Sequence, residues 1–160
     1  MLDAEGHVKL IDFNLSRAGF HKFNKRTDSF CGSYAYMPPE IINHKLYGKD
    51  VDWYLVGVLL YEMLTGLPPY FNKDLKIIQK NILSNKLQIT EELSTKCRNL
   101  LKLLLNKDPN KRLGFKNGAS EILKHPWFQG ITIEEIENMN IEGFGAHLSK
   151  APEIIEKEIS

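Results

Sequence analysis

The stretch Trp53-Tyr54-Leu55-Val56-Gly57-Val58-Leu59-Leu60-Tyr61-Glu62-Met63-Leu64 constrains the fold more than any other part of this 160-residue chain. It is apolar nearly all round, which predicts a helix buried on every side, with Asp52 as its N-cap and Gly66 and Pro68-Pro69 as its stop. Glu62 interrupts the run far short of the ~20 residues needed to cross a bilayer, so a membrane span is excluded. Weaker signals surround this spine. Helical periodicity places Leu75, Ile78 and Ile82 on one face of a segment at 73–84, and Leu93, Cys97, Leu100, Leu101 and Leu104 inward in another at 91–105. Pro38-Pro39-Glu40 opens a short helix through Asn43, and a further one at 119–124 leads into His125-Pro126-Trp127-Phe128, whose Trp127 and Phe128 read as core plugs. Met1-Leu2 and His7–Ile11 flank the polar turn Asp3-Ala4-Glu5-Gly6 as two strands of a hairpin. Residues 16–33 form a polar loop without periodicity, of a length more often functional than idle. The expected fold class is mainly α, a helical bundle entered through a small N-terminal β-hairpin.

Composition narrows the partners. With 42% hydrophobic and 26% charged residues the chain is that of a globular domain rather than a disordered or fibrous one. An acidic start without an apolar signal region and only two cysteines, Cys31 and Cys97, point to a reducing intracellular compartment, cytoplasmic or nuclear. A net charge of +1 offers no case for a nucleic-acid partner. That figure conceals an asymmetry, because the residues after 131 carry seven Glu and two Lys while the rest is basic. We therefore expect a domain over 1–128 and an acidic extension over 129–160, either solvated or lying on the basic body. The histidines at 7, 21, 44, 125 and 147 show no metal-ligand spacing.

Asp12-Phe13-Asn14 ends an apolar strand, where a carboxylate either forms a turn, with Asn14 tolerating positive φ, or presents itself to a divalent cation. Three further motifs follow in order: Ser29-Phe30-Cys31-Gly32-Ser33 with Tyr36-Met37-Pro38-Pro39-Glu40, then Asp52-Trp53, then Lys111-Arg112-Leu113-Gly114. The series resembles the C-terminal lobe of a eukaryotic protein kinase, with Asp12-Phe13-Asn14 in place of Asp-Phe-Gly and Pro38-Pro39-Glu40 in place of Ala-Pro-Glu. Ser29–Ser33 and the phrase Asp52–Tyr70 resemble the AGC group of serine/threonine kinases, nearest to the mitogen- and stress-activated and ribosomal-protein kinases. The resemblance covers residues 1 to about 128 and, more loosely, Ile141-Glu142-Gly143-Phe144.

This resemblance implies transfer of the ATP γ-phosphoryl group to protein Ser/Thr hydroxyls, with ATP and Mg²⁺ as cofactors. Asp12 matches the Mg²⁺-binding carboxylate, and Met1 and Ile11 match positions around the adenine. Ser29 matches the activation-loop phosphosite that an upstream activating kinase modifies, and Ser33 the hydroxyl that supports the catalytic aspartate. Phe30, Tyr34 and Met37 match the pocket for the residue after the target hydroxyl. Glu62 matches the acid that receives an arginine upstream of that hydroxyl; as an acid in an apolar helix it equally suits a structural ion pair within the protein. Asp52 matches the anchor of the catalytic loop, and Glu40 with Arg112 a buried ion pair.

The pattern also departs from the family. Asn14 replaces a glycine, Pro38 an alanine and Ala35 an acid, and the usual AGC tail motifs are not recognisable after Phe144. No Gly-rich loop, strand lysine or His-Arg-Asp loop occurs among the 160 residues, and the catalytic base is expected just upstream of Met1. The expectation is a kinase-lobe fragment without its N-lobe, inactive by itself. The alternative is a pseudokinase-like docking or regulatory module using the groove around Glu62 and Met37.

Overall fold

The computed structural model describes residues 1, 3, 7–18, 27–29 and 32–137. The chain divides into two compact units, residues 15–129 and residues 1–14 with those from 130 onward.

The larger unit is helical. It contains α1 (Pro39–Ile42), α2 (Asp50–Thr65), α3 (Leu75–Ser84), α4 (Thr95–Leu104) and α5 (Ala119–Ile122), with single 3₁₀ turns at Tyr34–Tyr36, Pro109–Lys111 and Pro126–Phe128. Local chemistry sets the ends. The Asp74 carboxylate accepts from Lys76 N at 2.8 Å and the Ser94 hydroxyl from Cys97 N at 3.2 Å, so α3 and α4 start where a side chain satisfies an orphan amide. Gly66, at φ 85°, ends α2 in the left-handed conformation that favours glycine.

Packing joins α2 to α4. A Cβ on Gly57 would lie 2.8 Å from Leu104 Cβ, so the missing side chain is what lets the two helices approach. Tyr54, Val58, Cys97, Leu101 and Leu105 form one buried cluster there, and Leu100, Leu104 and Ile122 another, with Trp53 and Phe128 packed against it. Full burial of such an aliphatic side chain contributes ~1.5–3 kcal/mol.

Several sequence expectations change. α2 begins at Asp50, so Asp52 lies in its first turn and is not its cap. The helix is not buried all round: Leu55, Val56, Leu59 and Met63 are 36–68% exposed. Hydropathy records what a side chain prefers, and among the described residues nothing satisfies that preference on this face. Leu75 is 54% exposed while Ile78 and Ile82 are buried, because the cluster with Tyr70, Ile42 and Leu87 covers the helix only from Ile78 onward. Trp127, 38% exposed, is a partial plug set edge-on to Phe128.

The smaller unit opens with antiparallel backbone pairing. Lys9 N donates to Met1 O at 2.8 Å, Met1 N to Lys9 O at 2.9 Å and Asp3 N to His7 O at 3.0 Å. The Asp3 carboxylate also accepts from His7 N at 2.8 Å and pairs with Lys9 at 3.2 Å. The same unit contains α6 (Ile133–Glu137), capped reciprocally by Thr132 and Glu135.

Candidate functional site

A short extended segment carries Ser29. Thr27 pairs with Tyr47 through two backbone hydrogen bonds of 2.8 and 2.9 Å, and the Tyr47 hydroxyl donates to Ser29 O at 2.8 Å. Arg17 Nη1 donates to the buried Thr27 hydroxyl and, at 3.3 Å, to Ser29 Oγ; the two hydroxyl oxygens are 3.1 Å apart. The exposed Ser29 hydroxyl is thus held beside a guanidinium, a group suited to pairing with a negative charge. Phe30 lies outside the described residues.

Downstream, Ser33 is exposed and precedes the turn Tyr34–Tyr36. Tyr34 is half-buried against Met37, which is itself 3% exposed and packed with Ile41 and Val51, so Met37 contributes a floor rather than an open surface. The Tyr36 hydroxyl donates to Glu62 Oε2. That bond foremost, then burial, raises the Tyr36 pKa, and the phenol stays neutral under physiological conditions. Among the described residues no cation faces Glu62: its partner is an uncharged phenol rather than the internal ion pair that its place in an apolar helix allowed.

The segment is tied to the helical body through Glu40 and Arg112. The guanidinium grips the carboxylate with two bonds, Nη1 to Oε1 at 2.7 Å and Nη2 to Oε2 at 3.0 Å, where both residues are almost fully buried. Two further donors reach Asp50 O at 3.1 Å and Asn106 O at 3.2 Å, and the Asp50 carboxylate lies 3.9 Å away. The Tyr54 ring packs 5.0 Å from the guanidinium carbon, and burial pushes its phenol far above the ordinary value. Asp52 is exposed at the start of α2. Loss of hydration by its carboxylate, and secondarily the like charge of Asp50, raise its pKa.

In the smaller unit Asp12, Met1 and Ile11 are all exposed. Asp12 adopts φ 59°, a conformation that costs most side chains of order 1 kcal/mol and that aspartate tolerates best alongside asparagine. The strained residue of the Asp12-Phe13-Asn14 turn is therefore the acid, and Asn14 sits in a 3₁₀ turn at negative φ. No cluster of three or more ligating side chains occurs among the described residues. A lone exposed carboxylate nevertheless fits Mg²⁺, which takes one or two carboxylates and completes its shell with water and substrate phosphates.

Sequence reasoning missed Arg17, Tyr36, Tyr47 and Asp50. Three of them act across the fold on partners with no periodic relation to them. Asp50 carried a signal, since an acid two residues before Asp52 is an equally good helix start.

Comparison with known proteins adds to this geometry. A sequence model described as the protein kinase domain matches residues 1–128. A probable serine/threonine-protein kinase of Dictyostelium discoideum is 44% identical over 141 residues, covering 88% of this chain and 30% of the relative. The serine/threonine-protein kinase AtPK2/AtPK19 of Arabidopsis thaliana is 43% identical over 143 residues, covering 89% and 30%. The serine/threonine-protein kinase Sgk1 of Xenopus tropicalis is 39% identical over 141 residues, covering 88% and 34%. The chain spans about three tenths of the length of these curated relatives. No described helix is long and apolar enough to cross a membrane.

Proposed function

The chain belongs to the protein kinase domain family, and from that premise we propose that it is the activation-segment and peptide-binding lobe of an AGC-type serine/threonine kinase. In this reading residues 1–128 are the kinase lobe and 129–160 an acidic extension, within a longer kinase working inside the cell in the cytoplasm or nucleus. Its substrates are protein Ser/Thr residues preceded by arginine. The observation that carries the reading is Glu62: a carboxylate held in one orientation by Tyr36 and facing no cation among the described residues is prepared for a guanidinium arriving from outside.

The other residues have compatible roles. Met37 and Tyr34 offer an apolar floor and wall, with Phe30, for the residue after the target hydroxyl. Ser29 receives a phosphate from an upstream kinase, and Arg17, already at hydrogen-bond distance, binds the ~1.5–2 added negative charges and stiffens the segment. Glu40 and Arg112 hold that segment on the helical body. Asp52 anchors the catalytic loop by accepting its backbone amides, and Ser33 supports the catalytic aspartate. Asp12 would hold Mg²⁺ with the ATP phosphates, beside Met1 and Ile11 at the adenine; the ion supplies charge neutralisation at the transferred group. The exposed apolar face of α2 is where the rest of the kinase domain packs.

The test is binding of a serine peptide bearing an upstream arginine to this chain. Glu62→Gln is expected to weaken binding about tenfold and to leave a peptide with alanine for that arginine unaffected. Equal effects on both peptides would remove Glu62 from recognition. A polypeptide of these 160 residues should show no phosphotransfer, since they contain no Gly-rich loop, strand lysine or His-Arg-Asp loop; transfer abolished by Asp12→Ala would overturn that expectation.

A further inference from the structure

A groove of about 340 Å³ opens where α3 and α4 end. Its floor is apolar: the Tyr70 ring and Leu105 are 5% and 2% exposed, Leu87 is half-buried beside them, and Leu83 stands at the rim. Three cations line it, Lys86, Lys102 and Lys107, and no acid does. The three are not equivalent. Lys107 is committed to the fold, its Nζ donating to Asn85 O at 2.5 Å and Asn81 O at 3.4 Å, carbonyls at the end of α3, and lying 4.9 Å from the Tyr70 ring centre. That is where a helix terminus favours a positive charge. The side chains of Lys86 and Lys102 are exposed and make no hydrogen bond or ion pair among the described residues. The larger groove nearby, about 500 Å³, mixes Glu40 and Asp108 with Lys45 and Lys107 and has no such bias.

We propose that the groove between the ends of α3 and α4 docks an extended acidic peptide, its one apolar side chain on Tyr70, Leu87 and Leu105 and its flanking carboxylates on Lys86 and Lys102. Charge complementarity selects the sign of the partner, and the floor selects its shape. Two exposed ion pairs alone give only weak, salt-screened attraction, so an apolar side chain entering the recess is what localises the segment. The volume lies at the low end for ligand pockets and suits one or two side chains rather than a helix. A bilayer is a poorer occupant, because Tyr70 and Leu105 are almost fully buried and Leu83 is the one exposed apolar side chain of the lining, too little apolar surface to enter lipid. The inference does not depend on the kinase reading; where that reading holds, the groove recruits acidic substrates or regulators away from Glu62.

The probe is a fluorescein-labelled dodecapeptide of Glu and Ser with one central Leu, titrated into the whole chain and followed by anisotropy. Saturable binding is expected, weakened about tenfold by Lys86→Glu with Lys102→Glu and several-fold by replacing the peptide Leu with Ala. Both lysines are exposed, so an unchanged thermal midpoint verifies that the double variant is folded. The proposal is overturned by the absence of saturable binding, by affinity indifferent to the lysine pair, or by equal affinity for the Ala peptide. Lysine-dependent binding of phosphatidylserine vesicles without peptide binding would overturn it in favour of a lipid surface.

Discussion

Tyr36 and Glu62, 26 positions apart, share a hydrogen bond in which the phenol donates to the carboxylate, joining the turn before α1 to the last turn of α2. Both are half-buried, so the bond is partly screened by water. Tyr36→Phe is expected to lower the unfolding free energy by about 1 kcal/mol in urea denaturation. It should also weaken the arginine-bearing peptide without affecting its alanine analogue, which separates orientation of Glu62 from a general loss of stability.

Arg112 and Glu40 are worth more, because both are buried and joined by two charge-assisted hydrogen bonds. Arg112→Met strands the carboxylate and should cost ~3–5 kcal/mol, a large part of the ~5–15 kcal/mol that usually holds a domain together. Adding Glu40→Gln should recover much of the loss. A double variant as unstable as the single one would show that the guanidinium's bonds to Asp50 O and Asn106 O matter more than its pairing with Glu40.

Gly57→Ala tests the approach of α2 to α4. Helix propensity alone favours alanine by ~1 kcal/mol. The new Cβ would meet Leu104 Cβ at 2.8 Å and Leu105 side-chain atoms at 3.1 Å, and overpacking of that kind costs ~1–3 kcal/mol. Net destabilisation is the expected outcome of thermal or urea unfolding, and stabilisation would show that the helices can part without loss.

His125 makes stability depend on pH. Its Nδ1 accepts from Trp127 N at 3.2 Å and its Nε2 meets Asn99 Oδ1 at 2.9 Å, an arrangement that needs the neutral ring, and burial lowers its pKa. Below the ordinary value of about 6.5 the unfolded chain takes up a proton that the folded one resists, so stability falls with pH until the folded value is passed. Unfolding of His125→Gln should be less stable at pH 7.5 and flatter between pH 7 and 5 than that of the parent. Parallel pH profiles would remove His125 as the source.

Much of the fold is legible in the sequence. Apolar spacing marked α2, α3 and α4, and a strong motif order marked the family, because a run of twelve residues without a polar face permits few structures. Ser94 and Asp74 show why the ends were harder: several polar residues near each helix start can cap, and the geometry selects one.

The sequence by itself determined that the segments of α1 to α5 are helical, while leaving α6 unmarked, that Gly66 and Pro68-Pro69 stop the longest of them, and that residues of a kinase lobe stand in their order. Only the tertiary structure decided that Tyr36 orients Glu62, that Arg17 meets Ser29, that Asp50 joins Glu40 around Arg112, and that one face of an all-apolar helix is exposed. Local pattern reports what each residue favours in its own stretch of chain. Which charges and apolar faces actually find partners depends on contacts between residues far apart in sequence, and periodicity carries no record of those.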